Sequence, residues 1–267
     1  MTTRSRLDTE LVRRGLARSR DQAAELIAAG RVTVAGQTAA KAATQVSRGA
    51  PVAVAAAGDG PEYVSRGGYK LAGALAAFFG LAVAGRRCLD AGASTGGFTD
   101  VLLRAGAAHV VAVDVGYGQL AWSLRTDPRV TVLDRVNVRA LSPAQVAPPP
   151  EVVVADLSFI SLTLVLPALI GCAAPDADFA LMVKPQFELG KGRVGAGGVV
   201  RDPADRAEAV RSVCDAAKSL GLGVRGVTAS PLPGPAGNVE YFVWLRRGAP
   251  PLGEDDLLRA IETGPDA

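Results

Sequence analysis

Apolar and charged residues alternate at helical spacing from Leu7 to Arg14 and stop at Gly15. Ser19 can cap a second helix that runs through Ala23, Leu26 and Ile27 to Gly30. RVTVAG then predicts a strand over Val32 and Val34 that closes on a turn at Gly36, and another apolar strand is expected near Pro51 to Ala55. Periodicity disappears across AAGDGPE, where small residues, Gly and Pro read as a linker. Beyond it strand-like and helix-like runs alternate: RCLD then GFTDVLLRAG, VVAVD then QLAWSLRT, VTVLD, VVVAD then SLTLVLPALI, FALMV, and RAEAVRSVCDAAKSLG followed by VRGVTA and VEYFVWL. That rhythm predicts a doubly wound α/β sheet. The chain is therefore expected to divide into a small module over residues 1–56, a linker over 57–63, a body over 64–248 and a C-terminal tail over 249–267.

Composition narrows the class. With 267 residues, 49% hydrophobic and 21% charged, the chain can bury a core and fits neither a disordered nor a fibrous protein. Cys88, Cys172 and Cys214 are odd in number and lack CxxC spacing, so neither a disulfide framework nor a structural zinc site is expected, and a reducing cytoplasm is the natural setting. The start, MTTRSRLDTELVRRG, carries charges where a signal peptide needs an apolar run, so secretion by that route is not expected. Two uncharged stretches, Leu71 to Gly85 and Leu157 to Pro175, are too short or too interrupted by Ser158, Ser161, Thr163 and Pro167 to read as membrane spans. Charge is unevenly placed: residues 1–56 carry nine Arg/Lys against four Asp/Glu, whereas the rest is slightly acidic. A basic module on a neutral body suggests contact with a polyanion, with a solvated basic face as the alternative.

The chemistry-bearing residues fall at strand ends. Asp90 closes RCLD and opens into AGASTGGF, where Gly92, Gly96 and Gly97 remove side chains that would obstruct a ligand or a helix. GxGxxG is absent and no GK[ST] follows, so a pyrophosphate is not the expected ligand. Asp114 closes the next strand, 22 residues after Gly92, where an acidic side chain accepts hydrogen bonds from ribose hydroxyls. An adenosine-containing ligand without phosphates fits both facts; a cap on the following segment is the alternative for Asp114. Asn137 follows the third strand, placed to meet an adenine edge, and Asp156 ends the fourth. Lysine is scarce, with five against 24 arginines, and only an amine can give up its proton in a suitable site, which singles out Lys70 and Lys184.

The loop DxGAxxGGF with these strand-end residues resembles class I S-adenosylmethionine-dependent methyltransferases, specifically the FtsJ-like ribose 2′-O group, with Thr95 where that group usually carries proline. The resemblance implies a Rossmann-like fold and cofactor contacts from Gly92, Ala93, Ser94, Thr95, Gly96, Gly97, Phe98, Asp114 and Asn137. Lys70 in SRGGYKLAGAL, Asp156 in VVVADLSFISL, Lys184 in LMVKPQFELGKG and Glu240 in GPAGNVEYFVWL are similar, in order, to that group's catalytic Lys–Asp–Lys–Glu tetrad. A ribose hydroxyl ionises far above neutral pH, so a base must take its proton as the oxygen attacks the sulfonium methyl group in line. Lys184 is the expected base. Desolvation and the Lys70 ammonium are expected to free its lone pair, with Asp156 and Glu240 positioning the amines. Taken singly, Glu240 reads equally as a solvent-facing strand residue and Lys184 as a strand-end charge.

RLDTELVRRGLARSRDQAAELIAAGRVTVAG resembles the small α+β RNA-binding domain shared by a small-subunit ribosomal protein, some pseudouridine synthases and tyrosyl-tRNA synthetases. It implies that Arg4, Arg6, Arg18, Arg20 and Lys41 face structured RNA, where shape and phosphates dominate; each taken alone reads equally as an exposed surface residue. The two parts together resemble the TlyA family, which implies 2′-O-methylation of cytidine in ribosomal RNA of the small subunit, the large subunit or both. Arg66, Lys191 and Arg193 are expected to hold phosphates of the target strand. Phe159 is expected to stack on a flipped nucleotide or touch the cofactor, with core packing as the alternative. The single histidine, His109, reads as a surface or loop residue, and neither a metal cluster nor a Ser–His–Asp arrangement is expected. Two other functions stay in view: a ribosome assembly factor without turnover, and a membrane-active hemolysin, which the low aromatic content and lack of an amphipathic basic helix disfavour. A cytoplasmic monomer is expected.

Overall fold

The computed structural model describes residues 4–28, 31–39, 41–54, 62–190 and 192–265 and falls into two compact units, residues 1–62 and 63–267. Residues 57–61 of the expected linker, and Lys191, lie outside the described residues.

In the N-terminal unit, helices Leu7–Arg13 and Arg20–Ala28 bury Leu7, Leu11, Ala23, Leu26 and Ile27 against Val32 and Val46. Ser19 caps the second helix by accepting from the Gln22 amide at 3.1 Å. Val32–Val34 pairs antiparallel with Gln37–Thr38 and with Val52–Val54, the two strands read from the apolar pattern and their turn partner. A second ribbon, Arg4–Arg6 against Gln45–Ser47, has no such pattern, because RSR and QVS are mostly polar and the partners lie some forty residues apart. Arg4 therefore sits on a strand, and Arg6 ends that strand while taking the N-cap position of the first helix.

The body is built on seven strands: β1 (Arg87–Ala91), β2 (His109–Asp114), β3 (Val130–Asp134), β4 (Val152–Ala155), β5 (Asp178–Val183), β6 (Leu222–Ala229) and β7 (Tyr241–Arg247). Their order is β6-β7-β5-β4-β1-β2-β3, parallel throughout except for β7, which runs antiparallel to both neighbours. His109 opens β2 half-buried, its Nε2 2.8 Å from Thr131 Oγ1, and is not a loop residue.

Near-continuous apolar runs bury both faces of the central strands, as a sheet covered by helices on each side requires. Cys88, Val110, Ala112, Val154 and Met182 face α1 (Arg66–Ala77) and α2 (Gly97–Arg104). Leu89, Val111, Val113, Val153 and Leu181 face α3 (Leu166–Cys172) and α4 (Pro203–Ser219). Residues 249–267, read as a tail, contain α5 (Glu254–Glu262), whose Leu257, Ala260 and Ile261 join that second core. β4 lies beside β1, so the strand order reverses there, and the crevice at the carboxyl ends of β1, β4 and β5 is where such sheets bind ligands.

Candidate active site

The glycine loop is shaped by close approach. Gly92 has φ +86°, and a Cβ there would lie 2.5 Å from the Asp156 carbonyl, so only glycine lets the ends of β1 and β4 meet. Gly92 and Ala93 donate to the Val113 carbonyl at 2.8 and 3.1 Å, and Ser94, itself left-handed at φ +47°, donates its amide to Asp114 Oδ2 at 2.8 Å. Asp114 Oδ1 accepts from the Gly116 amide at 2.7 Å. The carboxylate thus ties the loop after β1 to the loop after β2, which includes the capping role and adds a fixed orientation.

Gly97 serves packing: its added Cβ would lie 2.7 Å from the Gly68 amide on α1. Phe98, expected among the cofactor contacts, is instead buried and packs tilted on Phe242 with ring centroids 5.9 Å apart. Beneath the loop, fully buried Asp90 accepts from Thr99 Oγ1 at 2.6 Å through one oxygen, while its other oxygen has no hydrogen-bond partner. Burial, with the Asp156 and Asp114 charges adding to it, pushes this carboxyl up to about 7.

The four tetrad residues converge on the same edge as two ion pairs. Lys70, buried on α1, lies 2.5 Å from Glu240, which is 1% exposed; Lys184 lies 2.6 Å from Asp156. Strand register explains the meeting. Val183 pairs with Tyr241 and Leu181 with Ala155, so Lys184, Glu240 and Asp156 each sit next to the carboxyl end of β5, the start of β7 or the end of β4. Glu240 precedes β7 and is covered, since a Cβ on Gly234 would come within 2.6 Å of its Oε1; the solvent-facing alternative is ruled out. Each amine faces its own carboxylate, the pairing in which Asp156 and Glu240 position the two lysines. Buried charges are tolerated only when compensated in this way.

Two residues not singled out from the sequence complete the surroundings. Ser158 Oγ accepts from Lys184 Nζ at 3.0 Å, and Glu188 joins the segment after β5 to the one after β4 by accepting from Ser161 Oγ and from the Leu162 amide. Both lie inside the quoted motifs, but only the folded chain shows that they face the tetrad segments. Phe159 is 90% exposed at φ +64°, with its ring 5.2 Å from that of Phe187, so the core-packing alternative does not hold.

The remaining candidates separate by partner. Asn137 is exposed and uses Oδ1 to cap a short 3₁₀ turn through the Arg139 amide at 3.0 Å. Arg66 reaches the Pro233 carbonyl at 3.4 Å. Arg193, expected to hold phosphate, is instead engaged by Asp205 and Glu208 of α4. In the N-terminal unit Arg6 and Arg20 both pair with buried Asp8, and Arg13 and Arg14 with buried Glu10. Arg18 binds Gln22. Arg4, Arg18 and Lys41 are exposed and form no ion pair among the described residues. Among those residues no group of three His, Cys, Asp or Glu is arranged to hold a metal ion, and no helix is long and apolar enough to cross a membrane.

Residues 63–247 match the FtsJ-like methyltransferase family and residues 5–52 the S4 domain. The chain is 62% identical over 270 residues to the 16S/23S rRNA (cytidine-2′-O)-methyltransferase TlyA of Mycobacterium tuberculosis, covering 99% of this chain and all of that one. It is 36% identical to Hemolysin A of Brachyspira hyodysenteriae, over 89% of this chain and 98% of the relative. A solved structure from Streptococcus thermophilus, provisionally named a hemolysin, superposes with a TM-score of 0.78 at 36% identity, over 98% of this chain and 96% of that one.

Proposed function

The chain belongs to the TlyA family, an FtsJ-like methyltransferase body with an S4 module, and from that premise we propose that it methylates the 2′-oxygen of cytidine in ribosomal RNA of one or both subunits. The observation that carries the reading is the two lysine–carboxylate pairs at the edge of the sheet where β4 and β5 end, with Asp156 of one pair against Gly92 of the glycine loop. S-adenosylmethionine, when bound, supplies the sulfonium methyl group. The residues are consistent with it: Ser94 and Thr95 are exposed on the loop after β1, Asp114 is held at its base as the acceptor for ribose hydroxyls, Asn137 is the residue for the adenine edge, and the unpartnered oxygen of Asp90 is an acceptor for a cationic amine.

Lys184 in its neutral form takes the proton of the attacking hydroxyl, and Asp156 holds the ammonium that results. Lys70 and Glu240 compensate each other, so the second amine adds no uncompensated charge to the reacting centre. Exposed Phe159 is the stacking surface for a nucleotide turned out of its helix, and Arg66 and Lys191 are the cations that hold the strand's phosphates. Residues 1–56 act as the RNA-binding module, joined by the linker at 57–63 to the catalytic body of 64–248, in a cytoplasmic protein whose partners are ribosomal subunits. Replacing Lys184 with Ala is expected to lower methyl transfer by about 10²-fold or more while cofactor and RNA binding persist. An assembly factor without turnover would transfer no methyl group in either form.

A further inference from the structure

The loop after β4 and the turn after β5 are joined by three successive contacts. Lys184 Nζ donates to Ser158 Oγ at 3.0 Å, Phe187 lies against Phe159 with centroids 5.2 Å apart, and Glu188 accepts from Ser161 Oγ at 2.5 Å and from the Leu162 amide at 2.8 Å. Ser161 is held in turn, 2.7 Å from Thr163 Oγ1. The loop needs such restraint, because Phe159 sits in the left-handed region at φ +64° without being glycine, a conformation that persists only where the surroundings impose it.

The geometry points to Ser158 and Glu188 as positioning residues for Lys184: Glu188 fixes the 158–162 loop, and the loop holds Ser158 where it takes one N–H of the lysine. The chemical consequence follows from counting the donors of the amine. A neutral lysine has two N–H bonds and one lone pair. Asp156 Oδ1 lies 2.6 Å from Nζ but takes no hydrogen bond, so the N–H given to Ser158 is what fixes the rotation of the amine and, with it, the direction in which the lone pair collects the hydroxyl proton. Without Ser158 the amine turns about its last bond and the lone pair is correctly aimed only part of the time, a cost in orientation and not in binding. Burial raises the Glu188 carboxyl above its ordinary range, as the two donated hydrogen bonds lower it; a glutamine, which accepts the amide bond equally well, can take its place.

The inference rests on Lys184 as the base, and the test separates the two. Methyl transfer to ribosomal subunits is measured as kcat and KM for Ser158→Ala, Glu188→Ala, Glu188→Gln and the double Ser158→Ala/Glu188→Ala protein, beside wild type and Lys184→Ala. Each alanine variant is expected to lose about ten-fold or more in kcat, a part of the 10²–10⁴ that a positioned base contributes, with KM for S-adenosylmethionine unchanged. Glu188→Gln is expected to recover most of the rate, and the double variant to be little slower than the slower single one, because both act through one amine. Should Glu188→Ala fail to fold, Ser158→Ala and Ser158→Thr carry the comparison, with threonine restoring the rate. Wild-type kcat in Ser158→Ala, or multiplied losses in the double variant, overturns the proposal while a dead Lys184→Ala leaves the base assignment standing. An active Lys184→Ala protein overturns both.

Discussion

Asp90 shows how a single buried carboxyl leaves a measurable trace in this fold. Its carboxyl is pushed up to about 7 by burial, against an ordinary value near 4. Below about pH 4 folded and unfolded chains both hold the proton; from about pH 4 to about pH 7 the unfolded chain releases it and the folded chain keeps it, so stability falls as pH rises through this window. Asp90→Asn retains an acceptor for Thr99 and has nothing to titrate. Urea midpoints followed against pH are therefore expected to decline less steeply in Asp90→Asn than in wild type across that range; parallel curves would mean that Asp90 is ionised in the folded protein. The sequence marked Asp90 as the end of a strand but could not show that one of its oxygens goes unbonded, since that depends on what covers the loop.

Between elements, the glycines divide by task in a way that spacing alone does not reveal. Gly97 sets how closely the start of α2 meets the start of α1, and α1 carries Lys70. Gly97→Ala places a carbon 2.7 Å from the Gly68 amide and so must push α1 outward, lengthening the Lys70–Glu240 pair. Methyl transfer is expected to fall by about ten-fold or more, within the range a displaced catalytic group costs. Thermal unfolding and binding of S-adenosylmethionine report whether the cofactor loop is also disrupted; an unchanged rate would show that α1 need not be so close.

The same scale explains what was legible. Apolar runs marked out the β-strands and most helices of the body because buried strands and amphipathic helices write their burial into local pattern. The Arg4–Arg6 ribbon, the ion pairs of Arg193 with α4, and the meeting of Glu188 with Ser161 depend on partners from about a dozen to some forty residues away, and no local period encodes them. The tail was a closer case: Leu257, Ala260 and Ile261 do fall at helical spacing, in a run short enough to pass for polar sequence.

For the molecule as a whole, the division of charge assigns labour between its two units. Buried Asp8 and Glu10 engage Arg6, Arg20, Arg13 and Arg14, so these arginines contribute first to the N-terminal unit's own structure. Arg4, Arg18 and Lys41 are the expected cations that form no ion pair among the described residues. Changing these three to Ala is expected to weaken binding to ribosomal RNA across sequences and to lower the slope of log affinity against log salt by about one for each phosphate that is no longer neutralised, leaving binding of S-adenosylmethionine unchanged. Filter binding at several salt concentrations measures it, and an unaltered slope would move the RNA-facing surface elsewhere.

Methyl transfer itself is the decisive observable. Labelled methyl from S-adenosylmethionine should be offered to purified small subunits, large subunits and naked ribosomal RNA from a strain lacking this activity, with Lys184→Ala in parallel. Label is expected on the 2′-oxygen of a cytidine in at least one of these RNAs, and about 10²-fold less, or lower still, with Lys184→Ala. Label absent from all three while S-adenosylmethionine still binds, or equal label with Lys184→Ala, would refute a lysine-based ribose methyltransferase.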